Sequence, residues 1–404
     1  MKTEDFVHLH VHTEYSPLDG MPKLEELILR AKELGQPAVA ITDHGTLYSL
    51  WKAQKLQNEH GIKVIKGCEF YFTQDHDENG KPIYGHIILL AKSYQGIINL
   101  FKLQELAYSE DRFYRRQQIN ITDLKEHSEG LICTSACLAN IIPQSIMNGR
   151  LDIANAWIKT FKSIFGADFY LEMQPNSIPE QRIVNKALVQ LAKKHEVELI
   201  ATNDVHYIYK EDAEVHEVVL ALSTQKKMTD EKRFKFSTED FWFKTKEEML
   251  DGLNYLPSDV IERAISNTVV VADKCNAEIP TGHYLPKYPF SNDPIQTFKD
   301  NVWNGYEEKK TDSIDDENYR AQLANEISII SEEGYADYFL IVQDYIKRAR
   351  EAGILVGEGR GSGAGSKSCY AMDITRVEPR EYGLIFERFL AKGREPDKQY
   401  CRLA

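Results

Sequence analysis

The stretch FVHLHVHTEYSPLDG, residues 6–20, sets His8, His10 and His12 at a spacing of two and then places Asp19 in the turn-like segment Ser16–Gly20. In an extended strand alternate side chains share a face, so the three imidazoles project together. A carboxylate on the following loop can close with them on a divalent cation. Further residues of ligand type recur where short apolar runs begin or end: His44 after PAVAIT, Glu69 in IKVIKGCEFYF, His86 at the head of HIILLAK, Cys137 closing GLICTSAC, and Asp204 and His206 closing ELIATNDVH. Imidazole, carboxylate and thiolate together form a borderline donor set suited to zinc or manganese. Nine residues, His10, His12, Asp19, His44, Glu69, His86, Cys137, Asp204 and His206, exceed what one ion uses, so two or three bridged ions are expected. Three divalent ions bring +6 against −4 from Asp19, Glu69, Asp204 and a Cys137 thiolate, leaving about +2 in an otherwise acidic chain. Such a pocket draws phosphate and brings the pKa of a bound water to roughly 7. The catalytic group is then expected to be a metal-activated water at His10, His12, Asp204 and His206. Any one of these histidines alone is more often a packed core residue; the repeated strand-end placement argues for a site.

The elements that must position these residues alternate along the first 206 residues. The spacing predicts strands at about 6–12, 37–45, 62–72, 85–92, 130–137, 168–174 and 198–206, with helices at 22–35, 46–59, 94–109, 122–128, 138–149, 151–165 and 178–195. Residues 74–82, QDHDENGKP, read as a polar turn, and 111–118, DRFYRRQQ, as a polar, basic segment. Alternation of this kind implies right-handed crossovers and parallel strands. Because the ligand-type residues must converge, a closed barrel is expected over an open sheet, with its chemistry at the strands' C-terminal ends. From 207 to 278 the pattern turns mostly helical, around a charged, aromatic loop at 226–245. Four prolines in 279–294 mark a boundary. This gives a first domain over 1–280, a linker over 281–294, and a second domain over 295–404 with helices near 294–309, 315–333 and 338–352.

Composition sets outer limits. The chain has 404 residues, 42% hydrophobic and 27% charged, enough for two to three domains. No run approaches 18 uninterrupted apolar residues, so no membrane span or membrane partner is expected. Six cysteines without a CxxC pair, and an N-terminus lacking an apolar segment, read as a cytoplasmic protein with reduced thiols. A net charge of −13 excludes a coat of nonspecific phosphate contacts, so nucleic acid must be held by local basic patches or by metal.

A second candidate lies at 357–368, GEGRGSGAGSKS, where five glycines accompany Arg360, Ser362, Ser366 and Lys367. Glycines let backbone N–H groups approach phosphate oxygens. The run does not satisfy the P-loop pattern GxxxxGK[ST], and its composition also suits a flexible loop.

HLHVHTEYSPLDG, AITDHGTLYSL, IKVIKGCEFY, HIILLAK, HSEGLICTSACLA and IATNDVHYI, in this order, resemble the PHP (polymerase and histidinol phosphatase) superfamily. They are most similar to the amino-terminal domain of bacterial or phage-type replicative DNA polymerase III alpha subunits. The resemblance implies an α/β fold, a PHP-type distorted (βα)7 barrel, in which all nine residues are trinuclear metal ligands. It carries no role for His8 and sets Asp43 behind His44. Residues 335–390, YADYFLIVQDYIKRAREAGILVGEGRGSGAGSKSCYAMDITRVEPREYGLIFERFL, resemble the start of the mixed α/β palm of a C-family DNA polymerase. Here the resemblance implies that Arg360, Gly361, Ser362 and Arg388 contact a deoxynucleoside triphosphate. Glu358 and Gly363 depart from the proline and alanine usual in the family.

In the family, the FERFL block is followed by a PD-x-D-x-D type motif whose aspartates bind magnesium. In AKGREPDKQYCRLA, Asp397 stands for the first carboxylate and Gln399 replaces the second. One carboxylate cannot hold two catalytic ions, so this chain alone is not expected to polymerise DNA; with the missing carboxy-terminal segment supplied, magnesium would serve that reaction. A break inside the motif fits a split gene, with Cys401 at the edge of an intervening self-splicing segment, and equally a simple truncation. The expected function is a metal-dependent phosphodiesterase, a 3′–5′ exonuclease, in the amino-terminal part of a replicative polymerase whose partners are DNA and deoxynucleoside triphosphate. The alternatives are a metal-braced docking module without catalysis and a small-molecule phosphatase of the histidinol-phosphate type.

Overall fold

The short apolar runs that carry the ligand-type residues are the staves of a curled sheet in the computed structural model, which describes residues 6–76, 82–110, 112–114, 116–282, 285–311, 316–359 and 361–391. The chain divides into two compact units, Met1–Pro280 and Thr281–Ala404.

In the first unit the elements run α1 (Leu24–Glu33), β1 (Ala38–Ile41), α2 (Leu50–His60), β2 (Lys63–His76), β3 (Pro82–Ala91), α3 (Tyr94–Ala107), β4 (Phe113–Tyr114), β5 (Arg116–Ile119), α4 (Ile121–Glu126), β6 (Leu131–Thr134), α5 (Ile141–Met147), α6 (Leu151–Phe165), β7 (Phe169–Met173), α7 (Pro179–His195), β8 (Glu198–Ala201), α8 (Ala213–Ser223), α9 (Lys246–Gly252) and α10 (Ser258–Lys274). β1, β6 and β7 are buried at every residue, as strands enclosed on both faces must be. The helices close around them with apolar stripes, such as Leu24, Leu27, Ile28 and Ala31 of α1.

Residues 7–12 are not a regular strand. They touch their neighbours through two parallel bridges, His8 with Val39 and Val11 with Val205. Those bridges nonetheless close the ring: Ala40 N donates to His8 O at 2.8 Å and His12 N to Val205 O at 2.8 Å. The staves follow chain order, from residues 7–12 through β1, β2, β3, β6, β7 and β8. The expectation of parallel strands throughout is corrected here. β3 is antiparallel to both β2 and β6, while β1–β2, β6–β7 and β7–β8 are parallel. The physical reason lies in the length of the connection: five residues, which lie outside the described ones, separate β2 from β3, too few for the crossover that parallel neighbours need. The segment 113–119 forms the small strands β4 and β5, with β5 parallel to the far end of β2.

In the second unit, α11 (Pro294–Lys309), α12 (Glu317–Glu332), α13 (Ala336–Glu351) and α14 (Lys367–Ala371), with short 3-10 turns at Gly361–Gly365 and Phe386–Arg388, make up the regular elements of its described residues. They pack around Phe298, Val302, Leu323, Ile330, Phe339 and Leu340. Among the described residues no helix is long and apolar enough to cross a membrane.

Candidate metal centre

Each of the nine side chains reaches the barrel mouth from the end or edge of a stave. His10 and His12 come from the irregular first segment, Asp19 from the loop after it, His44 from the end of β1, and Glu69 from β2. His86 comes from β3, Cys137 from the turn after β6, and Asp204 and His206 from the turn after β8. Ala136 and Asp204 adopt positive φ, 47° and 49°. Non-glycine residues held in that region concentrate where surrounding structure fixes a functional geometry.

The nine form one connected cluster. Glu69 is the hub, with its two oxygens 3.3 Å from His10 Nε2, 3.0 Å from His86 Nδ1, 2.5 Å from His44 Nδ1 and 3.7 Å from His12 Nε2. Asp204 Oδ1 lies 3.1 Å from both His10 Nε2 and His12 Nε2, and 3.5 Å from His206 Nδ1. Asp19 faces His44 Nε2 at 3.3 Å and His206 Nε2 at 3.9 Å. Cys137 Sγ completes the set, 3.4 Å from His86 Nδ1. Three groups have donor atoms mutually close enough to hold an ion: His12, His44 and His206; His10, His12 and Asp204; and His44, Glu69 and His86.

These donors satisfy one another only in part, and the residues present therefore fit a cation. His10 Nδ1 lies 2.7 Å from Glu172 Oε1, and a carboxylate can only accept there, so Nδ1 carries the proton of a neutral ring. His10 Nε2 then turns a lone pair toward His12 Nε2 at 3.1 Å and toward the oxygens of Asp204 and Glu69. His44 Nδ1 and Glu69 Oε2, although 2.5 Å apart, make no acceptable hydrogen bond, and His12 Nδ1 and Asp19 Oδ1 are likewise buried without a partner. Buried polar atoms normally find partners, so four such atoms left without one in a single cluster mark space for positive charge.

The electrostatics agree. Burial opposes charge on His10, but Asp204, Glu172 and Glu69 outweigh it and push its pKa well above the usual imidazole value. Asp19 and Glu69 do the same for His44. Burial also works against the carboxylates, yet the imidazoles around Glu69, Asp204 and Asp19 hold all three below the ordinary range. His12 and His206 are driven down to about 4, chiefly by burial, and so stay neutral donors. A field that would otherwise protonate His10 and His44 equally favours a divalent ion in their midst.

Sequence reasoning missed the groups that hold the ligands in place. Glu172 on β7, buried, receives His10, Thr134 Oγ1 at 2.6 Å, Thr202 Oγ1 at 2.5 Å and Gln174 Nε2 at 3.1 Å. Carboxylate behind histidine is how ligand orientation is commonly fixed, and a lone Glu in FYLEM gives no sequence signal for it. His216 Nε2 of α8 donates to Asp19 O, 2.8 Å away, and so anchors the loop that carries Asp19. The placing of Asp43 behind the His44 ring is corrected. Its oxygens accept from Thr13 N at 2.7 Å, Ser16 Oγ at 3.0 Å and Ser49 Oγ at 2.7 Å, pinning the 13–16 turn instead. His8 stands apart from the cluster, with Nε2 on Lys244 O at 2.8 Å and its ring against Phe6 and Phe243; burial drives its pKa down to about 3.

In the second unit, Gly361 and Ser362 line a cavity of about 370 Å³ with Phe339, Cys369 and Phe389. Arg388 is exposed in the Phe386–Arg388 turn and does not line that cavity. Arg360, Asp397 and Cys401 lie outside the described residues. Buried Glu326 of α12 was not anticipated; it accepts from Ser366 Oγ at 2.8 Å, Lys367 N at 3.1 Å and Ser368 N at 3.0 Å, and so fixes the end of the glycine-rich run. The cysteines among the described residues are free thiols.

The PHP domain family model matches residues 8–176, and the bacterial DNA polymerase III alpha NTPase domain model matches residues 296–397. The DNA polymerase III subunit alpha of Borreliella burgdorferi is 41% identical over 399 residues, covering 95% of this chain and 34% of that protein. The subunit of Aquifex aeolicus is 38% identical over 424 residues (99% and 36%), and that of Treponema pallidum 37% over 401 residues (96% and 34%). The chain thus spans about a third of the length of these relatives. It carries a PHP domain and the NTPase domain of bacterial DNA polymerase III alpha, and along nearly all of its length it is a relative of the amino-terminal third of that subunit.

Proposed function

We propose that the first unit is a metal-dependent phosphodiesterase that removes nucleotides from the 3′ end of DNA, within the amino-terminal part of a replicative DNA polymerase. The observation that carries this reading is the convergence of nine buried or half-buried ligand-type side chains, in which His12 Nδ1, Asp19 Oδ1, His44 Nδ1 and Glu69 Oε2 are buried without a hydrogen-bond partner. His10, His12, Asp19, His44, Glu69, His86, Cys137, Asp204 and His206 would hold two or three ions, zinc or manganese by donor type. When bound, such ions supply Lewis acidity toward a phosphoryl oxygen and a water of lowered pKa.

The chain's own contribution is orientation. Glu172 keeps the His10 proton on Nδ1, so Nε2 always faces the centre. The contact between His206 Nδ1 and Asp204 O, 2.8 Å, leaves His206 Nε2 free toward Asp19. His12 and His206, neutral down to about pH 4, present lone pairs throughout the physiological range. Glu69 and Asp204, each facing several imidazoles, would hold the ions together with them.

The polymerase-type second unit would take deoxynucleoside triphosphate along the glycine-rich segment. Magnesium-dependent nucleotide addition would be the work of the full-length subunit, of whose length the chain spans about a third. A free phosphatase of small molecules has no use for that second unit, which disfavours the histidinol-phosphate reading.

The test is to measure bound metal in the purified chain and to assay 3′-labelled and 5′-labelled single-stranded DNA with manganese or zinc. Stepwise cleavage from the 3′ end, abolished in folded His10→Ala and Asp204→Ala, is expected. Metal bound without cleavage above the variants' background would instead leave a brace for the barrel.

A further inference from the structure

Beside the candidate centre lies a cleft of about 390 Å³, and His44 belongs to both. Its wall includes Tyr71 of β2, whose ring stacks near-parallel on His44 at 6.3 Å between centroids and at 25°. Over Tyr71 sits the Arg116 guanidinium, 5.1 Å from the ring centre, and among the described residues Arg116 has no carboxylate partner. Two further tyrosines line the cleft and turn outward: Tyr48, 72% exposed, and Tyr108, 44% exposed, at the end of α3. Half-exposed Phe113 lies 6.3 Å from Tyr108 and extends the aromatic row. The acid that lines the cleft, Glu14, is held by Lys23 at 2.6 Å and Lys52 at 3.3 Å, so it does not compete for Arg116.

Large aromatic rings left in water, next to a guanidinium without a carboxylate partner among the described residues, on a net acidic chain, match one ligand chemistry closely. Bases stack on exposed rings whatever their identity, and a planar guanidinium pairs with a phosphodiester in a fork. We propose that this cleft is a nucleotide subsite for single-stranded DNA, with bases on Tyr48 and Tyr108 and a backbone phosphate on Arg116, leading the strand toward His44. The proposal rests on the phosphodiesterase reading above and adds that the substrate is a polynucleotide strand, held beyond the bond that is cut. It also gives a role to Arg116 of the polar, basic segment 111–118.

Binding is measured on the full chain stripped of metal by chelator, using the fluorescence anisotropy of a labelled oligo(dT) across a salt series. Tyr48→Ala and Tyr108→Ala should each weaken binding by roughly 5- to 100-fold, with Tyr48→Phe close to wild type because stacking needs the ring and not the hydroxyl. Arg116→Ala should lower the log–log salt slope by about 0.7, the share of one phosphate on a single strand. Exposed Lys159→Ala on α6 controls for charge alone. Unchanged affinity in the Tyr48→Ala, Tyr108→Ala and Arg116→Ala variants, or an equal loss in Lys159→Ala, would overturn the subsite. Should a variant fold poorly, photo-cross-linking of a 5-bromodeoxyuridine strand to wild type decides: adducts at Tyr48 or Tyr108 support the cleft, and adducts confined elsewhere refute it. Metal content and the His10→Ala assay bear on the phosphodiesterase reading alone, so either idea can fail while the other stands.

Discussion

Glu172 shows how one side chain sets the chemistry of another from behind. It is fully buried, accepts from Thr134 on one oxygen, and on the other accepts from Thr202, Gln174 and His10 Nδ1 together. Glu172→Gln keeps the volume but can present an N–H toward His10, which reverses the ring's tautomer and puts a proton on Nε2, where a lone pair is needed to hold an ion. Metal affinity should fall about 10- to 100-fold, the usual effect of losing such a partner, read by competition with a chromogenic chelator. Lys244 gives a second prediction of residue scale. Burial lowers its pKa to about 7, over the face of Trp242 at 3.4 Å, against about 10.4 for an unfolded lysine. Between those values the unfolded chain binds a proton that the folded chain does not, so stability rises with pH from about 7 to 10 through this group. Lys244→Met should flatten that part of the profile relative to wild type, measured by urea unfolding at successive pH values.

Turns, more than staves, carry the exacting geometry. The loop from Thr13 to Gly20 is cinched by Asp43 from the end of β1 and by backbone bonds from Ser16 N to Thr13 O and from Gly20 N to Ser16 O. A Cβ at Gly20 would lie 2.1 Å from Thr13 O, backbone that cannot give way. Gly20→Ala should therefore cost about 2 kcal/mol or more in stability, in the range of other core clashes, and should also reduce metal content because Asp19 is carried on the displaced turn. Thermal melts together with metal analysis check both effects. Ser93 caps α3 by accepting from Gly96 N at 3.4 Å, and Ser93→Ala, without consequence for the centre, should cost only about 1 kcal/mol. The contrast between the two variants separates a turn that presents a ligand from a cap that merely ends a helix.

For the first unit as a whole, bound ions would be part of what holds the ring shut. Residues 7–12 join the barrel by isolated bridges instead of a full ladder, and their His10 and His12 are tied to Glu69 and Asp204 across the mouth. A ligand that binds only the folded state stabilises it by mass action, about 2.7 kcal/mol at a hundred times its dissociation constant. Chelation should accordingly lower the melting temperature, and zinc or manganese should restore it in wild type but not in Asp204→Ala. An equal melting temperature with and without metal in calorimetry would remove this coupling.

Much of this arrangement was legible in residue order. The alternation of apolar runs with amphipathic stretches predicted the helices at 294–309, 315–333 and 338–352 to within a few residues of those observed, because 3.6-residue periodicity is a local property. The nine ligand-type residues could be named because chemistry of that kind collects at the ends of strands, and all nine meet in space. Strand direction, the irregularity of residues 7–12, the hold of Glu172 on His10, the true partners of Asp43 and the tyrosine–arginine cleft were decided only by the tertiary structure. The deciding contacts include pairs as far apart as Asp43 and Thr13, His10 and Glu172, and Val11 and Val205, and no local pattern of polarity records which distant partner a buried polar group will find.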